Sequence, residues 1–147
     1  MNPYSDDYFM KQALAEARIA AEEGEVPVGA VIVSGDRIIA RAHNQTERLN
    51  DPTAHAEMLA ITAATGFLGA KYLTDCRLYV TVEPCVMCAG AIGWAQLSAV
   101  VYGAPDEKRG FTRFAPNALH PKTEVRSGVM GNESAGEMQG FFLKKRR

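Results

Sequence analysis

The sequence predicts an α/β fold: a mixed five-stranded sheet that opens with a β-hairpin, continues in parallel strands, and carries helices on both faces. Three observations lead there. "VGAVIV" (28–33) and "RIIAR" (37–41) flank the turn "SGD", which is a hairpin signature. "RLYVTV" (77–82), "CVMCAGAIGWAQ" (85–96) and "SAVVYG" (98–103) follow one another with short joints as strand, helix and strand. Such a βαβ unit has parallel strands and a right-handed crossover. Helical periodicity at both chain ends supplies the covering layers.

Taken in order, residues 5–23 place Met10, Ala13, Leu14, Ala17 and Ala21 on one helical stripe. Ser5 is suited to the N-cap, Asp6 and Asp7 to the first turn, and Gly24 to the stop. After the hairpin, "NDPT" leads into a second helix over 53–65 that ends near Gly66. The strand at 77–82 is rich in β-branched and aromatic residues. Beyond 104 lie a segment rich in Pro and Phe and a short strand at 124–129. "ESAGEMQGFFLKKRR" (133–147) reads as a helix, with "SAGE" offering a capping box. There is no internal repeat, low-complexity tract or linker, so 1–147 reads as one domain.

Composition narrows the function. Hydrophobic residues make up 47% and charged residues 22%, as in soluble globular proteins. No apolar run is long enough to span a bilayer, and "MNPYSDDYFM" has acids where a secretory signal needs a basic start. A cytoplasmic location without membrane association is expected. Three cysteines cannot all pair within the chain, and a reducing cytosol keeps them as thiols. A net charge of −1 does not advertise a nucleic-acid binder, but local charge matters more than the total.

Two stretches carry chemistry. In "TAHAEML" (53–59), His55 and Glu57 stand two apart at a helix start, where they cannot share a helix face. In "EPCVMCAGA" (83–91), Pro84 suits the first helical position and places Cys85 and Cys88 on one face of the opening turns. A helix N-terminus lowers thiol pKa, as metal ligation requires. His55 with two thiolates makes a charge-neutral zinc triad that leaves a fourth position for water, the mark of a catalytic site. Alone, the C-x-x-C also reads as a redox pair. Cys76 reads as a small buried hydrophobe. Both motifs follow a proline, open a helix and flank one strand, where α/β sites gather.

H-x-E followed by P-C-x-x-C is the established zinc-deaminase pattern. With "EVPVGAVIV", "AHN", "DPTAHAEM" and "LYVTVEPCVMCAGAI", the chain resembles the tRNA-specific adenosine deaminases of the cytidine/deoxycytidylate deaminase superfamily. The resemblance runs from about residue 5 to 104 and more loosely onward. It implies a three-layer α/β/α cytidine-deaminase-like fold, one Zn2+ per subunit, a homodimer, and an anticodon stem-loop of tRNA as partner. The implied reaction is hydrolysis at C6 of the wobble adenosine, giving inosine. Zinc activates water, and Glu57 shuttles protons without binding the metal. By resemblance, Asn44 and the N–H of Ala56 hydrogen-bond the base, and Val26 and Pro27 form its apolar wall. Asn44 also reads as a turn residue, and Val26–Pro27 as a helix-to-strand joint.

"DEKRGFTRF" (106–114) and "FFLKKRR" (141–147) mix cations with phenylalanines, as suits phosphate contact plus stacking. Candidate RNA contacts are Lys108, Arg109, Phe111, Arg113, Phe142, Lys144 and Lys145. The tail reads equally as a solvated helix end with Phe141 or Phe142 in the core. Where the chain has Arg109 and Phe111, the family often has threonine and small residues. Gly90 and Gly93 suit close packing, either across a dimer interface or of helix on sheet. A deaminase of free guanine, cytosine or a nucleoside shares the same triad and stands as the alternative. A non-catalytic zinc or RNA-binding module leaves Glu57 without a purpose.

Overall fold

A computed structural model describes residues 5–145. Helix α1 (Asp6–Glu22) is capped as its sequence dictates: Ser5 Oγ accepts the Tyr8 N–H, and Gly24 leaves the helix at φ 80°. Its buried stripe is Phe9, Met10, Ala13, Leu14, Ala17 and Ala20. Ala20 thus replaces the expected Ala21. Strands β1 (Gly29–Ser34) and β2 (Arg37–His43) form the hairpin, with Gly35 in the left-handed region at the turn. Gly29 is required where α1 crosses β1, since a Cβ there would collide with the Ala13 carbonyl oxygen.

Helix α2 (Ala56–Leu68) starts three residues later than the sequence suggests and runs through Gly66 to a left-handed Gly69. Strand β3 (Cys76–Val82), helix α3 (Val86–Ala95) and strand β4 (Ala99–Ala104) are the expected βαβ unit. A single turn, α4 (Phe111–Phe114), interrupts the Pro/Phe-rich segment, before β5 (Glu124–Arg126) and α5 (Gly131–Lys145). No capping box forms at "SAGE". Ser134 lies inside the helix, and Glu137 pairs with Arg18 at 2.9 Å.

The sheet order is β2-β1-β3-β4-β5, with β1 antiparallel to both neighbours and β3, β4 and β5 parallel. Alternation along the central strands divides the core into two layers. Ala30, Ile32, Leu78, Val80 and Val100 meet α2 and α3 on one face. Val31, Val33, Tyr79 and Val101 meet Phe9, Met10 and Ala13 of α1 on the other. Helix α5 joins α1 on that second face, completing three layers. The carboxyl ends of β3 and β4 and the N-termini of α2 and α3 therefore converge on one edge.

Candidate metal centre and base pocket

The segment before α2 explains why its start is delayed. Asp51 Oδ1 accepts both the N–H and the Oγ1–H of Thr53, each at 2.8 Å, and holds the backbone in a turn. His55 then becomes the N-cap, at φ −74° and ψ 153°. Cys85 is the N-cap of α3, at φ −74° and ψ 174°. Pro84 therefore precedes the cap instead of filling the first helical position. The extended backbone there bridges to Gly110, and the Pro84 carbonyl accepts the Phe111 N–H at 3.0 Å. Cys88 is one turn into α3 and buried.

Nδ1 of His55 stands 3.6 Å from Cys85 Sγ and 3.5 Å from Cys88 Sγ, and all three donor atoms lie within 4.8 Å of one another. A tetrahedral zinc with ordinary Zn–N and Zn–S bonds requires N···S separations of about 3.5–3.6 Å. The residues present fit that ion. Glu57 is not part of this cluster, and neither is Cys76, buried at the start of β3.

Electrostatics agree with the geometry. Hydrogen bonding from Cys88, with a further bond to His55, pulls the Cys85 thiol down to about 4. That thiolate in turn pushes the Cys88 thiol up, with burial adding to the effect. Its hydrogen bond to Cys85 raises His55. One thiolate beside one thiol and an imidazole drawn toward protonation is a donor set suited to a cation. Burial pushes the Glu57 carboxyl up to about 7, and the Cys85 charge adds to it.

A cavity of about 230 Å³ opens beside the cluster, with Glu57, Asn44, Val26 and Val28 in its wall. It is smaller than typical small-molecule pockets and has room for one planar base. Asn44 is 8% exposed; its Oδ1 accepts the Ala56 N–H at 2.8 Å and its own N–H reaches the Val28 carbonyl at 3.1 Å. Asn44 also lines the cavity. Two expectations change here. The Ala56 N–H already has its acceptor and anchors Asn44 instead of meeting a base. Pro27 is buried behind the wall, and Val28 takes its place beside Val26.

A second groove, of about 490 Å³, shares Val82, Asp106, Arg109 and Met138 with that cavity and adds Lys108 and Phe142. Of the expected RNA contacts, it gathers Lys108, Arg109 and Phe142. Phe111 is not among them: it is 2% exposed and edge-on to Tyr102, so packing and not stacking explains it. Arg113 donates to the Glu107 carbonyl at 2.9 Å and lies over Phe114. Lys144 and Lys145 are exposed at the end of α5, outside the groove lining. Phe141 is the core residue of the tail, while Arg146 and Arg147 lie outside the described residues.

Sequence reasoning missed two buried acids. Glu25 organises the turn after β2, and Glu83 accepts N–H groups from Asp106 and Thr112 at 3.1 Å together with the Thr112 hydroxyl at 2.7 Å. Both adjoin recognisable motifs, yet no spacing rule says that their carboxylates turn inward.

The model of the cytidine and deoxycytidylate deaminase zinc-binding region matches residues 3–104. The chain belongs to the cytidine and deoxycytidylate deaminase family. This deaminase is 47% identical over 144 residues to the tRNA-specific adenosine deaminase of Aquifex aeolicus (strain VF5), covering 96% of this chain and 95% of the other. A solved structure from work on A-to-I editing by tRNA:A34 deaminases superposes with a TM-score of 0.83 at 46% identity, covering 88% and 98%. The guanine deaminase of Bacillus subtilis superposes with a TM-score of 0.66 at 47% identity, covering 69% of this chain and 65% of that one. A zinc-binding family and an N, S, S donor set agree on one zinc ion for this deaminase.

Proposed function

We propose that this deaminase hydrolyses adenosine to inosine at the first anticodon position of tRNA. The observation that carries the reading is a base-sized cavity beside the metal centre that opens onto a groove bearing Lys108, Arg109 and Phe142. A free base needs only the cavity. A polynucleotide also needs cations for its phosphates and an aromatic face for a neighbouring base. Near-full-length similarity to relatives named for this activity supports the same substrate.

In this reading His55, Cys85 and Cys88 hold the zinc. Once bound there, it supplies a Lewis acid that makes water a nucleophile at neutral pH. Val26 and Val28 hold the base against one wall, and Asn44 Nδ2 donates to a ring nitrogen. Glu57 takes one proton from the attacking water and passes it to the purine ring, then takes the second from the new C6 hydroxyl and delivers it to the departing amine. Water and adenosine thus leave as inosine and ammonia. The shuttle needs a pKa near the working pH, and burial holds Glu57 at about 7. Lys108 and Arg109 meet phosphate and Phe142 meets an unstacked base, with Lys144 and Lys145 adding charge at the end of α5.

The same reading makes the enzyme a cytoplasmic homodimer. Among the described residues no helix is long and apolar enough to cross a membrane. On α3, Val86, Met87 and Trp94 are exposed, Trp94 by 84%, with Gly90 open between them. A second copy seated on this stripe removes its apolar surface from water. Gly93 serves another purpose, the close approach of the Ala118 carbonyl within the chain.

Similarity to a guanine deaminase supports a second reading, a free-base substrate. Turnover of an anticodon stem-loop, compared with free guanine, cytosine and adenosine, separates the two. Inosine in the stem-loop is expected; activity confined to the small molecules sinks the tRNA reading.

A further inference from the structure

Glu25 is 1% exposed, yet among the described residues no cation forms an ion pair with it. Its Oε1 accepts the Glu47 N–H at 3.0 Å and the Thr46 hydroxyl at 3.4 Å, and its Oε2 accepts the Arg48 N–H at 2.8 Å. The Arg48 guanidinium turns instead to Glu23, at 2.9 Å. A buried carboxylate is tolerated only when its lone pairs are satisfied, and here one short turn of backbone does nearly all of that. The N–H of Glu25 donates to the Ala20 carbonyl at 2.9 Å, so the carboxylate hangs from the end of α1.

The turn that it clasps begins at Asn44 and Gln45 and leads to the Asp51 turn and His55. Internal bonds from Leu49 to the Gln45 carbonyl (2.9 Å) and from Asp51 to the Thr46 carbonyl (3.0 Å) make it a compact unit, with Asn50 left-handed at φ 51°. Asn44 and Thr46 of this unit line the base cavity, and so does Val26, next to Glu25. Glu25 therefore ties two segments of the cavity lining to the same helix end.

We propose that Glu25 is a positioning residue for deamination, acting through the turn 44–48 to hold the Asn44 amide at the base. The inference rests on Asn44 as the base-binding residue of the function proposed above. Glu25→Gln keeps the shape but turns an amide NH2 toward N–H donors that need an acceptor.

A double-mutant cycle of Glu25→Gln and Asn44→Ala on the zinc-loaded, full-length enzyme tests it, with kcat, KM and zinc content as readouts. Glu25→Gln is expected to keep its zinc and lose about 10-fold or more in kcat/KM. In the Asn44→Ala background the same change is expected to cost less than about 2-fold, because coupled residues are not additive. An undiminished loss in that background, or wild-type kinetics for Glu25→Gln, overturns the proposal. Hydrogen exchange on the wild-type enzyme decides it independently of whether the variant folds. The Glu47 and Arg48 amides must exchange as slowly as the central strands; exchange at open-loop rates overturns the clasp. If the wild type deaminates guanine and not the stem-loop, the functional reading fails, and the same cycle run on guanine still judges Glu25.

Discussion

Nδ1 of His55 stands 3.6 Å from Sγ of Cys85, and each of these residues caps the N-terminus of a different helix. Two helix ends are thereby aimed at one point, with Cys88 one turn inside the second. Helix N-termini favour anionic ligands, so the Cys85 thiolate is stabilised before a zinc ion binds, while Cys88 holds its proton until the ion displaces it. His55→Ala and Cys85→Ala are expected to lose zinc together with activity, and Cys76→Ala to keep both. Metal analysis of the purified variants checks this; loss of zinc from Cys76→Ala would mean that the sulfur ligands are misassigned.

Glu57 lies in the first turn of α2, outside the ligand cluster, and is 3% exposed. Glu57→Ala is expected to retain stoichiometric zinc while activity falls by at least ~10²–10⁴, the range of general acid–base catalysis. A metal-free variant contradicts the shuttle role.

In the proposed function Asn44 serves the base as well as the backbone that it anchors. Asn44→Ala leaves the buried Ala56 N–H without an acceptor, which costs about 1–3 kcal/mol of stability in addition to the lost base contact. Denaturant unfolding and turnover measured together should show both losses, and intact stability would mean that the anchor is not needed.

Two phenylalanines close to the groove behave differently. Phe111, 2% exposed, belongs to the core, and Phe111→Ala is expected to cost about 3–5 kcal/mol of stability. Phe142, 42% exposed, lines the groove, and Phe142→Ala should spare the Tm while weakening stem-loop binding by ~1–3 kcal/mol. Thermal unfolding and stem-loop binding measured on both variants decide the matter; equal loss of Tm in the two contradicts the assignment.

His43 joins β2 to α1 through Glu16 at 3.0 Å and Glu23 at 2.9 Å. Burial alone lowers its pKa, but the two carboxylates outweigh burial and raise it above the ordinary histidine value. The folded state then binds a proton more tightly than the unfolded chain. The resulting stabilisation is complete below the unfolded value of about 6.5 and is lost as pH rises through the raised one. The stability of the wild type relative to His43→Gln should therefore decline as the pH rises from the ordinary histidine value through the raised one. A difference independent of pH in urea unfolding contradicts it.

Much of this was legible in the chain because it depends on neighbours in sequence. Alternation and β-branched runs marked the strands, caps marked α1, and the short joints of 77–103 required a parallel βαβ unit. The helix starts were harder. The Asp51–Thr53 turn delays α2, and the Cys85–Gly110 bridge keeps residue 85 extended. Capping propensities weigh single residues and do not register such partners. Phe111 and Phe142 look alike in sequence, and only the position of Tyr102 and the course of α5 separate core from groove.

The sequence by itself determined the chemistry: one imidazole, two thiols at i and i+3, and a carboxylate two residues past the histidine define a deaminase centre through the types and order of their side chains. Tertiary structure alone decided the pocket. Val28 in place of Pro27, the capture of the Ala56 N–H by Asn44, and the inward turn of Glu25 and Glu83 all follow from which buried polar group finds which partner across the fold. A buried donor or acceptor must be satisfied, and the partner that satisfies it is set by distance in space, which spacing along the chain does not encode.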